Sequence, residues 1–102
     1  MLELRPTCEH CDKPLPPASV EAMICSFECT FCRDCVDRVL GNVCPNCGGG
    51  FVPRPVRPVR DWKNGNCLAR YPARTEPKRR PVDPAAHARF AASIRGIPPS
   101  ER

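Results

Sequence analysis

Eight cysteines in the first half of the chain are spaced as metal ligands: Cys8 and Cys11, then Cys25, Cys29, Cys32, Cys35, Cys44 and Cys47. Thirteen residues separate the first pair from Cys25, and the later intervals are three, two, two, eight and two residues. A Cys-x-x-Cys pair can curl so that both sulfurs face one ion, with backbone N–H groups of the turn donating to the thiolates. A glycine just after the pair, as at Gly48, eases that turn because it tolerates positive φ. Four pairs make two tetrahedral sites, and they can be joined sequentially, nested or interleaved. Spacing leaves all three open. A saturated thiolate site keeps no coordination position for substrate, so the expected chemistry is structural. The chain has no Ser-His-Asp set, paired-carboxylate site or glycine-rich phosphate loop, and no enzyme activity is expected.

The composition says why such sites are needed. With 102 residues, four Phe, one Tyr and one Trp against fourteen prolines, the chain lacks the material for a large apolar core. No basic segment followed by an apolar one opens the chain, and no apolar run approaches the ~20 residues of a membrane span. The expectation is therefore a cytoplasmic protein with reduced thiols and no membrane association, in which paired cysteines mean two Zn2+ ions rather than disulfides. A redox dithiol usually stands alone instead of in a saturated array. His10, between two ligands, is read as a surface imidazole, with replacement of Cys11 as its alternative. Cys67 has no partner and reads as a lone thiol.

Charge divides the chain. Residues 1–50 carry four basic and seven acidic groups, residues 51–102 twelve and four. Four thiolates around one zinc leave a formal −2, so two loaded sites would deepen the acidity of the head to about −7.

The elements that must position the sulfurs follow from local pattern. Leu2 and Leu4 suggest an incipient strand. Pro14, Pro16 and Pro17 impose a loop. Met23-Ile24 and Thr30-Phe31 suit the arms of a hairpin with Ser26 to Glu28 near its tip. Val36, Val39 and Leu40 mark the face of a short helix stopped by Gly41-Asn42. Three segments result: a two-zinc domain over 1–50, a Pro-rich basic extended segment over 51–82, and a C-terminal helix and end over 83–102. In a polyproline II rod, with about three residues per turn, Arg54, Arg57 and Arg60 line one edge. The final segment reads as a helix with Asp83 as N-cap, Pro84 at the first position and Gly96 as the stop, its apolar face made by Ala86, Phe90, Ile94 and Ile97.

The ligand order resembles a RING finger, as do Cys29-Thr30-Phe31-Cys32, Cys35-Val36 and Cys44-Pro45-Asn46-Cys47. The resemblance spans roughly residues 8–48. It implies a small zinc-stabilised α+β fold with a short hairpin, one short helix and an interleaved cross-brace. Cys8, Cys11, Cys32 and Cys35 would then hold the first zinc, and Cys25, Cys29, Cys44 and Cys47 the second, with Cys29 where a RING usually has histidine. The whole chain is also similar to a family of small bacterial cysteine-rich proteins catalogued as domain of unknown function 1272, through LELRPxCExC, MICSFECTFCxDC, CPNCGG and the PVDxxAH and IPP of the ending. That likeness implies zinc and a bacterial source and brings no activity.

Function is read accordingly: a non-catalytic module with structural zinc that engages an unidentified protein partner. One alternative is a nucleic-acid accessory protein binding through Arg54, Arg57, Arg60, Lys78, Arg79 and Arg80, since basic charge supplies most sequence-independent affinity. The other is RING-type docking of a ubiquitin-conjugating enzyme. Leu40 and Pro45 suit that role; Glu9, where the family has an apolar residue, and Gly48, where a basic one often stands, do not.

Overall fold

The computed structural model describes residues 1–102. Its centre is a three-stranded antiparallel sheet of order β2-β1-β3, formed by β1 (Ala22–Ile24), β2 (Thr30–Cys32) and β3 (Val52–Pro53). β1 and β2 are the expected hairpin, in register Met23 opposite Phe31. Its tip is closed by Glu28 N–H on the Cys25 carbonyl at 3.0 Å and Cys25 N–H on that of Cys29 at 3.2 Å. β3 pairs with the other side of β1, Ile24 opposite Val52. A proline in β3 is tolerated because the strand is at an edge, where a missing N–H breaks no ladder.

A helix leaves β2 directly. Cys32 caps α1 (Arg33–Cys35), its sulfur accepting from Cys35 N–H at 3.5 Å, and the helix runs into a wider π turn over Val36–Leu40. Val36 and Leu40 point into the core as the periodicity requires. Gly41 and Asn42 both take φ of +58°, and Asn42 N–H returns to the Val36 carbonyl at 3.1 Å, so the stop lies where expected. The core is thin: Phe31 meets Phe51 edge-on at 5.6 Å, Leu15, Val36 and Leu40 pack around them, and six buried cysteines supply much of the remaining wall.

The first residues form no strand. Leu4 is buried, but its carbonyl accepts Arg74 N–H from the distant tail at 2.9 Å. A single bridge pairs Thr7 with Pro14, held by Leu15 N–H on the Pro6 carbonyl at 2.8 Å and Cys8 N–H on that of Lys13 at 2.9 Å. Residues 63–82 contain no helix or strand, as expected. They are nonetheless laid against the head, with Arg80 N–H on the Glu9 carbonyl at 2.8 Å.

α2 (Pro84–Ala91) begins as predicted, Asp83 Oδ1 accepting from Ala85 N–H at 3.1 Å. It ends five residues short of Gly96, and turns continue through Ile97. The inward face also differs from the apolar stripe. His87 and Ala91 are buried, whereas Phe90 and Ile97 remain substantially exposed. The reason is a polar anchor: His87 Nε2 donates to the Leu40 carbonyl at 3.0 Å, docking α2 on the π turn. Arg102 closes the wrap by donating to the carbonyls of Asn42 at 2.7 Å and Gly48 at 3.2 Å. No helix is long and apolar enough to cross a membrane.

Candidate metal centres

The fold gathers the sulfurs into two groups. Those of Cys8, Cys11, Cys32 and Cys35 all lie within 4.8 Å of one another, and so do those of Cys25, Cys44 and Cys47. Cys29 stands at the rim of the second group, its thiol neighbouring Cys25 and Cys44 and accepting from Asn46 Nδ2 at 3.8 Å. Each group draws on distant stretches of chain. In the first, a loop contributes Cys8 and Cys11, while the end of β2 and α1 contribute Cys32 and Cys35. In the second, the hairpin tip contributes Cys25 and Cys29, and the loop after the π turn contributes Cys44 and Cys47.

Two of the pairs share one local geometry. Asp12 N–H bonds the Cys8 carbonyl at 3.0 Å, and Gly48 N–H bonds the Cys44 carbonyl at 2.8 Å. The residue after each pair turns left-handed, Asp12 at φ +65° and Gly48 at φ +77°. Backbone donors point at the sulfurs: Phe27 N–H at Cys25, Asn46 N–H at Cys44 and Gly49 N–H at Cys47, each at 3.4 Å. Such donors stabilise thiolate rather than thiol.

Ionisation reflects crowding. Burial pushes the Cys35 and Cys44 thiols well above the usual range, and neighbouring sulfurs add to it for both. At Cys11 burial acts in the same direction but is outweighed by the Lys13 backbone N–H and by hydrogen bonds with Cys8, Cys35 and Cys32, so its thiol ends below the usual value. Cys25 also ends low, because the Phe27 and Cys29 backbone donors outweigh its burial. A set in which some sulfurs give up protons readily and others resist is what a divalent cation resolves, by taking all as thiolates.

The donor chemistry fits a metal ion. Zinc–sulfur bonds of ~2.3 Å in a tetrahedron place sulfurs ~3.8 Å apart; Cys11 and Cys32 sulfurs lie 3.7 Å apart. A disulfide would need ~2.05 Å, and all nine cysteines are unbridged. Each group can thus hold one metal ion. Cys67 is far from both in sequence and buried in a turn, with its carbonyl accepting from Tyr71 N–H at 2.9 Å.

The chain matches the family described as protein of unknown function, DUF1272, over residues 1–57. It belongs to that family. An uncharacterized protein of Rhizobium meliloti (strain 1021) is 57% identical over 75 residues, covering 74% of this chain and 82% of that protein. No solved structure matches.

The six basic residues singled out in this DUF1272 protein part company. Arg54 is buried, donating to the carbonyls of Arg5 at 3.0 Å, Leu15 at 3.2 Å and Pro16 at 3.0 Å. Arg57 donates to those of Tyr71 and Leu2, both at 2.7 Å. Two members of the three-arginine edge turn inward and tie this segment to the head, because the carbonyls of Leu2, Arg5, Leu15 and Tyr71 have no backbone donor. Arg60 and Lys78 are exposed. Arg79 reaches the His10 carbonyl at 3.3 Å and Asp12 at 3.7 Å, and Arg80 lines a cleft of about 370 Å³ between the head and α2.

Two other residues, Glu9 and His10, take positioning roles that the sequence reading did not assign them. Glu9, 2% exposed, pairs with Arg5 at 2.7 Å and accepts from Thr30 N–H, fixing the first knuckle to β2. His10 Nδ1 accepts from Val82 N–H at 2.9 Å, so the imidazole faces the tail rather than the sulfurs. A carboxylate or imidazole inside Cys-x-x-Cys could have suggested a clamp; what it clamps is written 20 to 70 residues away.

Proposed function

We propose that this DUF1272 protein is a non-catalytic, zinc-stabilised protein-interaction module whose two Zn2+ ions are structural and are held in a RING-like cross-brace. The observation that carries the reading is the grouping of the first cysteine pair with the third, while Cys25 joins the fourth. Cys8, Cys11, Cys32 and Cys35 would hold one ion, and Cys25, Cys29, Cys44 and Cys47 the other. Zinc fits all-thiolate tetrahedral sites, and four protein ligands leave it no position for substrate. Within the chain, Asn46 and the backbone donors at Phe27 and Gly49 orient the sulfurs, and Glu9 fixes the knuckle that carries two of them.

Docking of a conjugating enzyme is disfavoured by the placement of α2. His87 covers the Leu40 carbonyl, and Pro45 lines the cleft that α2 roofs. Nucleic-acid binding loses Arg54 and Arg57 to the carbonyls they serve.

The test is elemental analysis of protein purified without added metal, followed by chelation. Two zinc ions per chain and collapse of the head on chelation are expected. One or none, or a head that keeps its structure after metal removal, would overturn the proposal.

A further inference from the structure

The cleft between the head and α2, about 370 Å³, is of the size that takes a small molecule, and its open polar atoms are nearly all of one kind. Glu9 forms part of its wall although that residue is only 2% exposed. Both hydrogen bonds to the carboxylate, from Arg5 and from the Thr30 N–H, end on Oε2. Oε1 has no partner in the protein and is not sealed from solvent, so the cleft is where it meets one. The neighbours repeat this pattern. His87 Nε2 must carry the proton it donates to the Leu40 carbonyl, which makes Nδ1 of the neutral ring an acceptor. Asp83 caps α2 through Oδ1 and keeps Oδ2 free, and Asn46 turns Nδ2 toward Cys29 Sγ, leaving Oδ1 open. Against these four acceptors stands one donor group, the exposed guanidinium of Arg80, which forms no ion pair with Asp83 or any other carboxylate.

We propose that the cleft binds a primary alkylammonium group, its charged end served by Glu9, Asp83, Asn46 and His87 and its hydrocarbon stem by Val82 and Phe90. This goes beyond the reading of the chain as an interaction module and does not rest on it.

The class follows from the inventory of atoms. An ammonium has three donors and no acceptor, the complement of a wall that holds two carboxylates, an amide oxygen and an imidazole nitrogen. An anion or a neutral alcohol would leave the buried carboxylate short of donors. The remaining wall is apolar, with Phe31, Pro45, Val82 and Ala86 beside Phe90, and a methylene stem packs on such a surface while its head stays among polar groups. Phe90 is 45% exposed and its ring stands 6.0 Å from that of His87, so an aromatic face is open to a cation. The whole chain carries a formal +5, so its overall field does not gather cations and selection falls to the cleft. A free alkylamine and the end of a lysine side chain share this chemistry.

The test titrates the full 15N-labelled chain with n-pentylamine, and with 1-pentanol and hexanoate as probes of similar stem bearing a neutral and an anionic head. Saturable shift changes are expected with the amine alone, at the amides of Asn46, Val82, Asp83, His87 and Phe90. Asp83→Asn keeps a capping side chain, so α2 and the dispersed spectrum persist, and it should weaken amine binding about fivefold. Arg80→Gln removes the opposing charge and should tighten it about twofold. Nα-acetyl-lysine methylamide separates the two sources: binding at least as tight as that of pentylamine assigns the cleft to a lysine side chain, weaker binding to a free amine. No change with the amine at millimolar concentration, equal changes with pentanol, changes away from the cleft, or weaker binding in Arg80→Gln overturns the proposal.

Discussion

Val82 donates its backbone N–H to Nδ1 of His10 at 2.9 Å, a bond between residues 72 positions apart that lays the start of the C-terminal segment across the first cysteine knuckle. His10 therefore clasps the tail and turns away from the metal-ligand role its position suggests. His10→Ala should speed amide exchange over residues 79–83 while leaving two zinc ions bound. Loss of one equivalent of zinc would show that the imidazole is a ligand after all.

Glu9 joins the knuckle to the sheet through Arg5 and the Thr30 N–H, both in nearly dry surroundings. Removing it leaves a buried donor unsatisfied and Arg5 paired only with Glu3 at 3.1 Å. Glu9→Ala should lower the stability of the zinc-loaded protein by about 2–3 kcal/mol. Urea unfolding reads this, and a change below about 0.5 kcal/mol, the size of an ordinary surface substitution, would contradict it.

Gly48 holds φ of +77° at the end of the fourth pair. A Cβ there would meet Ile94 Cδ1 at 3.7 Å and Phe90 Cζ at 3.8 Å, which is ordinary contact, so the cost of Gly48→Ala is in the backbone. About 1–2 kcal/mol is expected, with Gly48→Asn closer to wild type because asparagine visits this region more readily. Thermal melts of the three proteins at fixed zinc decide it; equal melting temperatures for alanine and glycine would refute the strain.

The Arg5 hydrogen bond holds the Glu3 carboxyl below its ordinary value of 4.5, helped by the charges of Arg5 and Arg74 against a partial desolvation. A depressed folded pKa stabilises the native state at pH above the unfolded value, and that contribution fades as pH falls through the folded one. Glu3→Gln should thus cost stability at pH 6 and cost progressively less below pH 4.5. Acid also strips zinc from thiolates in both proteins, so the measurement is the difference between their stabilities across that range. A difference independent of pH would show that Glu3 acts only as a packing group.

Arg54 and Arg60 are equivalent in sequence and opposite in structure. Burial without a facing carboxylate lowers the pKa of the Arg54 guanidinium, and its three carbonyl partners hold it in place. Arg54→Ala should destabilise by about 2 kcal/mol or more, whereas Arg60→Ala should be neutral within about 0.5 kcal/mol. Equal effects in an unfolding assay would place both on one solvent-facing edge, as the sequence period suggested.

Much of the head was legible because its signals are local. Cysteine pairs, a hairpin with β-branched and aromatic arms, a 3.6-residue apolar face and a Gly-Asn stop each depend on neighbours within a few positions, and each formed where its residues stand. β3 was not legible, since Val52-Pro53 carries no alternation and gains its pairing only from the free edge of β1. The inward face of α2 was misread because hydrophobicity predicts Ala86 and Phe90, while a buried hydrogen bond from His87 to Leu40 sets the rotation of the helix.

The division has one physical cause. Sequence alone determined that this chain carries paired cysteines able to hold metal and too few apolar residues for a large core, because ligand types, their spacing and composition are short-range properties. Which pairs meet, which arginines turn inward, and where the basic tail lies were decided only by tertiary structure. The inward turn of the arginines hangs on backbone carbonyls at Leu2, Arg5 and Leu15 that no backbone N–H reaches, and a carbonyl that will need a side-chain donor cannot be seen until the chain has folded around it.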